Sequence, residues 1–156
     1  MTDREFRSLR RAADYQFGRG AGAMLFPAPD AIEVTHTSSG RPRQVLADGG
    51  RLATYGTDGR YTLGFVGGRR LVEGFDAPRH RVVVGDESEP FVREGRNAFA
   101  KFVQNADSAL RPGDEVLVVH ADGHLLAVGR AELPGHGMRD FETGMAVKVR
   151  HGADSA

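Results

Sequence analysis

Cysteine is absent from this 156-residue chain, which excludes disulfides and thiolate metal sites. Lysine is scarce: Lys101 and Lys148 are the two lysines among 21 cations. Net charge is missing as well. With 21 basic residues against 21 acidic ones, no global basic field surrounds the chain, so any anionic partner must be met by local clustering. No apolar run approaches the roughly 20 residues of a membrane span. The opening residues, MTDREFRSLRRAADYQFG, are too charged for a secretory signal, and the expected setting is the cytoplasm. Internal repeats, low-complexity tracts and the GxSxG or Ser/His/Asp patterns of hydrolases are also lacking, so the chain is expected not to be an enzyme.

What is present is a folded, 40% hydrophobic chain punctuated by 21 glycines. Splitting it at Pro78 gives 11 Arg against 9 acids before (+2) and 10 Lys plus Arg against 12 acids after (−2). The arginine excess suits phosphate recognition, because a planar guanidinium binds two oxygens at once, and it also follows from GC-rich coding.

Residues 3–26 are expected to be helical. Phe6, Leu9, Ala13 and Phe17 recur at spacings of three and four, Thr2 or Asp3 supplies a cap, and Gly18, Gly20 and Gly22 interrupt the run. Residues 31–72 change to short β segments in a meander, with strands predicted over 31–37, 43–47, 52–55 and 61–66. Asp58-Gly59 forms a hairpin turn, and Gly67-Gly68 closes the last strand. A linker is placed at 74–79. Strands follow at 81–84, 115–120, 125–131 and 144–149. Residues 90–95 are expected to be a connection and 97–103 a short helix with Phe99, Phe102 and Val103 facing the core. The fold class is α+β: an N-terminal helix plus meander over 1–76, then over 79–152 the β pseudo-barrel that the family resemblance given below implies.

Several constellations tempt a chemical reading. Gly18, Gly20 and Ala23 match GxGxxA, but a dinucleotide loop needs a strand before it and a helix precedes it here, so a flexible helix end is expected. His120 and His124 lie four apart across a predicted hairpin, a poor metal site that reads as a pair of solvated turn histidines. Asp86, Glu87 and Glu89 read as a solvated strand end. No metal or cofactor is expected. Tyr15, Tyr55 and Tyr61 are base-stacking candidates that read better as core or half-buried filler. The strongest candidate is Arg93-Glu94-Gly95-Arg96-Asn97 followed by Lys101. A glycine before a helix lets a phosphate backbone approach, helix amides offer donors, and Asn97 either caps the helix or contacts RNA. The alternative is a capped helix with a solvated basic face. In the last strand, alternation puts Lys148 and Arg150 opposite Val147 and Val149, free for phosphate or guarding an edge.

The segments EPFVREGRNAFAKFV, LRPGDEVLVV, LLAVGRAEL and FETGMAVKVR closely resemble, in order and spacing, the PUA domain of archaeal tRNA-guanine transglycosylases. ADYQFGRGAGAMLF, the Ser39-Gly40-Arg41 turn and DGRYTLGFVGGRRL resemble the domain that precedes PUA in those enzymes and in archaeosine synthases. The family's catalytic barrel, with its aspartate nucleophile and zinc site, has no counterpart in this sequence. The resemblance implies an RNA-binding tail standing alone, which holds the acceptor stem and 3′ end of tRNA and accompanies a tRNA-modifying enzyme. Arg93 belongs to the strongest cluster. Carried over, the RNA-facing positions are Gly95, Arg96, Asn97 and Lys101 around the expected helix start, with Lys148 and Arg150 on the last strand. The competing classes are a PUA-containing ribosome-assembly or translation factor and a protein-interaction subunit without RNA affinity. Co-purification with tRNA, ribosomal particles or protein alone separates the three.

Overall fold

The computed structural model describes residues 1–155. The chain divides into two compact units, Met1–Gly74 and Phe75 onward.

In the first unit, α1 (Asp3–Phe17) begins where the Thr2 hydroxyl accepts the Glu5 N–H, and it buries Phe6, Leu9, Ala13 and Phe17 as their spacing predicts. After the glycine break α2 (Ala21–Leu25) adds one more turn or so. Strands β1 (Glu33–His36), β2 (Pro42–Ala47), β3 (Gly50–Tyr55) and β4 (Tyr61–Leu63) form an antiparallel meander in sequence order. β4 is an edge strand, and α1 completes it. The Gln16 side chain accepts the Tyr61 N–H at 2.6 Å and donates to the Tyr61 carbonyl at 2.9 Å, acting as a one-residue fifth strand. The buried Tyr61 hydroxyl donates to the Leu9 carbonyl at 2.9 Å, and desolvation pushes its pKa well above the ordinary phenol value.

The strand expected over 61–66 stops at Leu63. Residues 65–74 instead form α3 (Phe65–Gly74), so the expected linker at 74–79 begins on a helix end. Gly67 explains the misreading. A Cβ there would collide with the Leu52 carbonyl, so the glycine works as a close-approach point for a helix lying on β3, not as a terminator.

In the second unit, β5 (Arg81–Val84), β8 (Glu115–His120) and β9 (Leu125–Ala131) have the predicted bounds, and β10 (Met145–Gly152) runs three residues further than predicted. The expected helix over 97–103 does not form. The chain makes β6 (Ala98–Phe99), a 3-10 turn (Ala100–Phe102) and β7 (Val103–Ala106). The apolar spacing of Phe99, Phe102 and Val103 mimics a helix, but the core takes the small residues Ala98 and Ala100 and leaves Phe99 47% exposed. The expected connection holds α4 (Glu89–Arg93), with Pro90 in the first turn, where its missing N–H costs nothing.

The sheet order is β6-β10-β9-β8-β5-β7. β5 and β8 pair in parallel and the other described pairs are antiparallel. Its two edge strands are joined through the three-residue 3-10 turn. At roughly 3.5 Å per residue that tether is too short to leave the edges apart. The sheet therefore curls into a nearly closed barrel around Val82, Val84, Val116, Val118, Leu126 and Val147.

Candidate nucleic-acid interface

The segment Arg93–Asn97 is the end of a helix, not the start of one. Gly95, at φ +101°, donates its N–H to the Val92 carbonyl at 2.9 Å, and Arg96 donates to the Phe91 carbonyl at 3.0 Å. This pair of bonds with a left-handed glycine between them is the glycine cap of a helix C-terminus. The helix amides expected to meet phosphate therefore belong to a helix that has already ended. Asn97 caps nothing either: its side-chain oxygen accepts the Val149 N–H at 2.9 Å, extending the short β6 ladder along β10.

Two of the five other expected RNA contacts spend their charge internally. Arg93 holds Asp154 through Nε at 3.1 Å and Nη2 at 2.9 Å. The Asp154 hydrogen bond raises the Arg93 pKa, and the same bond holds the Asp154 carboxyl below its usual range. Arg150 is paired with the buried Glu115 on β8. Arg96, Lys101 and Lys148 remain exposed.

The sequence reading missed the aromatic surface between these cations. Phe91 (52% exposed) and Phe99 (47%) join Phe102, Ser88, Arg96 and Asn97 in lining a cleft of about 270 Å³. Phe99 and Phe102 also form one wall of a second depression beside Lys101, Thr143 and Gly144. The Arg96 guanidinium lies 5.9 Å from the centre of the Phe91 ring, and the Lys101 ammonium lies 4.9 Å from that of Phe102. Partly exposed rings with cations beside them suit flat π systems that carry negative charge. Glu87 and Glu142 stand at the rims. The pattern's signal was readable: three phenylalanines within twelve residues, interleaved with Arg93, Arg96 and Lys101.

Elsewhere the expectations divide. Tyr61 is buried and Tyr55 half-buried, whereas Tyr15 is 95% exposed. It continues a stripe of exposed arginines on α1, Arg4, Arg7 and Arg11, at helical spacing. His120 and His124 are not free solvated side chains. Their rings stack at 5.1 Å and both are bound by carboxylates. The Asp86 hydrogen bond raises the His120 pKa, and the His124 backbone N–H holds Asp122 below the ordinary carboxylate value. No helix among the described residues is long and apolar enough to cross a membrane.

The fold and its aromatic cleft define a two-domain chain ending in a barrel of the PUA class. Residues 7–78 match the patch-forming domain C2 of tRNA-guanine transglycosylase, and residues 80–153 match the PUA domain. Together the two matches run along nearly the whole chain, which is similar to the C2–PUA region of the archaeal tRNA-guanine transglycosylases. It is 48% identical over 143 residues to the tRNA-guanine(15) transglycosylase of Thermococcus kodakarensis, covering 91% of this chain, and 49% identical over 143 residues to that of Pyrococcus furiosus, again covering 91%. It spans about a quarter of the length of those relatives, 24% in each case. Its fold is similar to that of a hypothetical protein from Pyrococcus horikoshii, with a TM-score of 0.75 at 22% identity over 99% of this chain and 93% of the other.

Proposed function

We propose that this chain is a non-catalytic tRNA-binding protein whose PUA unit grips the single-stranded 3′ end beside the acceptor stem, in the service of a tRNA-modifying enzyme. The observation that carries this reading is the cleft of Phe91, Phe99 and Phe102 edged by Arg96 and Lys101. Unpaired nucleotides present π faces and phosphates together, and stacking on an aromatic ring with a nearby cation meets both. A duplex end cannot enter a cleft of this size, whereas a splayed base can. Kinship supports the choice of RNA, since the relatives that match nearly the whole chain are named for tRNA. Arg96 and Lys101 are the proposed phosphate contacts at the cleft and Lys148 the contact on the neighbouring strand. Gly95, Asn97, Arg93 and Arg150 shape and brace the surface.

The test is binding of total tRNA across a salt series, beside transcripts that lack the 3′ CCA. Affinity that falls at least tenfold without the CCA supports the reading. Equal affinity for both removes the 3′-end grip. Capture of ribosomal particles in preference to free tRNA assigns the chain to ribosome assembly or translation, and absence of RNA binding at any salt overturns the reading.

A further inference from the structure

The cleft proposed to hold RNA contains polar groups that phosphate contact does not need. Glu87 lines it together with Phe91, Phe99 and Phe102. Glu142 lines the second depression, which shares Phe99 and Phe102 with the first and includes Lys101. Both carboxylates are exposed, and among the described residues neither makes a hydrogen bond or an ion pair. Asp86 and Glu89, by contrast, are bonded to His120 and His124. A free carboxylate repels the phosphates that Arg96 and Lys101 attract, so two of them beside the stacking rings weaken a purely electrostatic grip.

The first depression holds two more unused groups. Ser88 is 7% exposed, and its hydroxyl bonds to nothing among the described residues. Its backbone lies in the right-handed helical region, at φ −92° and ψ −22°, not in the extended conformation from which a serine caps a helix. A buried hydroxyl left without a partner is costly, and this one lines the cleft, where a ligand can reach it. Asn97 spends its side-chain oxygen on the Val149 N–H, which fixes the orientation of the amide and leaves its nitrogen as a donor in the same cleft. The lining thus offers a permanent acceptor in Glu87, a permanent donor in Asn97 and a hydroxyl that does either, around rings that suit a flat face.

Nucleobases differ in how they answer that pattern. Cytosine carries an amino donor at N4 beside the acceptor N3, adenine one at N6 beside N1, and guanine one at N2 beside the N1–H. Uracil has a carbonyl oxygen where cytosine has its amino group, and its N3–H lies between two carbonyl oxygens that repel a carboxylate. We infer that the two depressions read adjacent unpaired bases by their exocyclic amino groups, Glu87 accepting from one and Glu142 from the next, so that the site selects amino-bearing bases over uracil.

The bases are adjacent in this arrangement because Phe99 and Phe102 line both depressions. Each carboxylate weakens the binding of any RNA, and only an amino group that donates to it offsets the penalty. Selectivity is then obtained by rejecting the wrong base as well as by holding the right one. The inference rests on the RNA reading of the cleft and adds to it which bases the cleft accepts.

Hairpin RNAs that share a stem and differ in a single-stranded 3′ overhang, ACCA, ACUA, AUCA or AUUA, are titrated by fluorescence anisotropy. The proteins are the full-length parent, Glu87→Gln and Glu142→Gln. Glutamine keeps the shape, removes the charge, and either accepts from an amino group or donates to a carbonyl. The parent should bind AUUA at least about tenfold more weakly than ACCA, the loss expected for a hydrogen bond to a charged group. Each variant should reduce the discrimination at one pyrimidine to within about twofold, and the two variants should act at different positions. Both targets are exposed and unpartnered, so the variants should melt with the parent. A parent that binds ACCA and AUUA equally overturns the inference and leaves the RNA reading standing. Variants that tighten all four RNAs alike also overturn it, because the carboxylates then act as surface charge alone. Variants that both relax the same position overturn the assignment of one base to each depression. A parent that binds none of the four removes the RNA reading and this inference with it.

Discussion

Phe99→Ala should separate RNA recognition from folding. The ring is about half exposed, and its backbone is held by the β6–β10 pairing, in which Phe99 faces Met145. Removing it empties little of the core, so the stability change should stay near the roughly 0.5 kcal/mol typical of surface positions. Binding is another matter. Base–aromatic stacking is worth about 1–3 kcal/mol per base in alanine substitutions. At about 1.4 kcal/mol per tenfold, the expected loss in tRNA affinity is about 5- to 150-fold. The ring carries no charge, so the slope of log affinity against log salt should not move. Arg96→Ala should behave oppositely, flattening the slope by about 0.7 for one single-strand phosphate contact. Fluorescence anisotropy with end-labelled tRNA between low and moderate salt reads both quantities, and thermal melting monitors the fold. A Phe99→Ala protein that melts normally and binds within twofold of the parent would refute the stacking argument. A change in its salt slope would mean that the ring acts by positioning cations.

Two further predictions concern the supports. Gln16→Ala removes both hydrogen bonds to the outer edge of Tyr61 and should destabilise the first unit by about 2 kcal/mol, at about 1 kcal/mol per bond. Hydrogen exchange of the Tyr61 amide is the direct measure, and unchanged protection would show that the edge is held by other means. Arg93 depresses the Asp154 pKa in the folded state, so the stabilisation from that pair is complete above the ordinary carboxylate value near 3.9 and disappears as pH falls through the lower folded value. Melting temperatures of the parent and Asp154→Asn should differ at pH 6 and converge as the pH falls below the depressed folded-state value, whereas a constant gap would detach the pair from the acid limb.

The alternating and helical patterns were legible wherever one face of an element is buried. α1, β5, β8 and β9 follow from apolar spacing because each presents a continuous buried face. The misreadings share one cause: residues with two physical uses. Gly67 and Gly95 both occur where a glycine reads as a break or a helix start, yet one lies inside α3 for close packing and the other ends α4. Pro90 reads as connection but sits in a first turn. Phe99 and Phe102 read as core because large aromatics usually are, and here alanines take that place. Arg93, Asn97 and Arg150 stand out in the sequence as polar side chains, while their pairing with Asp154, Val149 and Glu115 depends on contacts more than 30 residues distant. The carboxylate partners of the histidine pair are not legible in the sequence, because Asp86 and Glu89 lie 34 and 35 residues away and only the parallel β5–β8 pairing unites them.

The same distribution of partners reconciles the proposed RNA binding with the charge of the second unit. The segment after Pro78 is formally acidic, with 12 acids against 10 cations. Yet Asp86, Glu89 and Asp122 gather around the two histidines, Glu115 is buried under Arg150, and Asp154 is matched by Arg93. Screening limits the reach of exposed charges to about 8 Å at physiological salt. An approaching phosphate therefore responds to what stands at the cleft itself, where Arg96 and Lys101 face Glu87 and Glu142. With local charge close to balance, the proposed RNA grip requires stacking on Phe91, Phe99 and Phe102 to carry the larger part of the affinity. Selectivity then favours unpaired bases over duplex, because only unpaired bases expose the faces that the rings can hold.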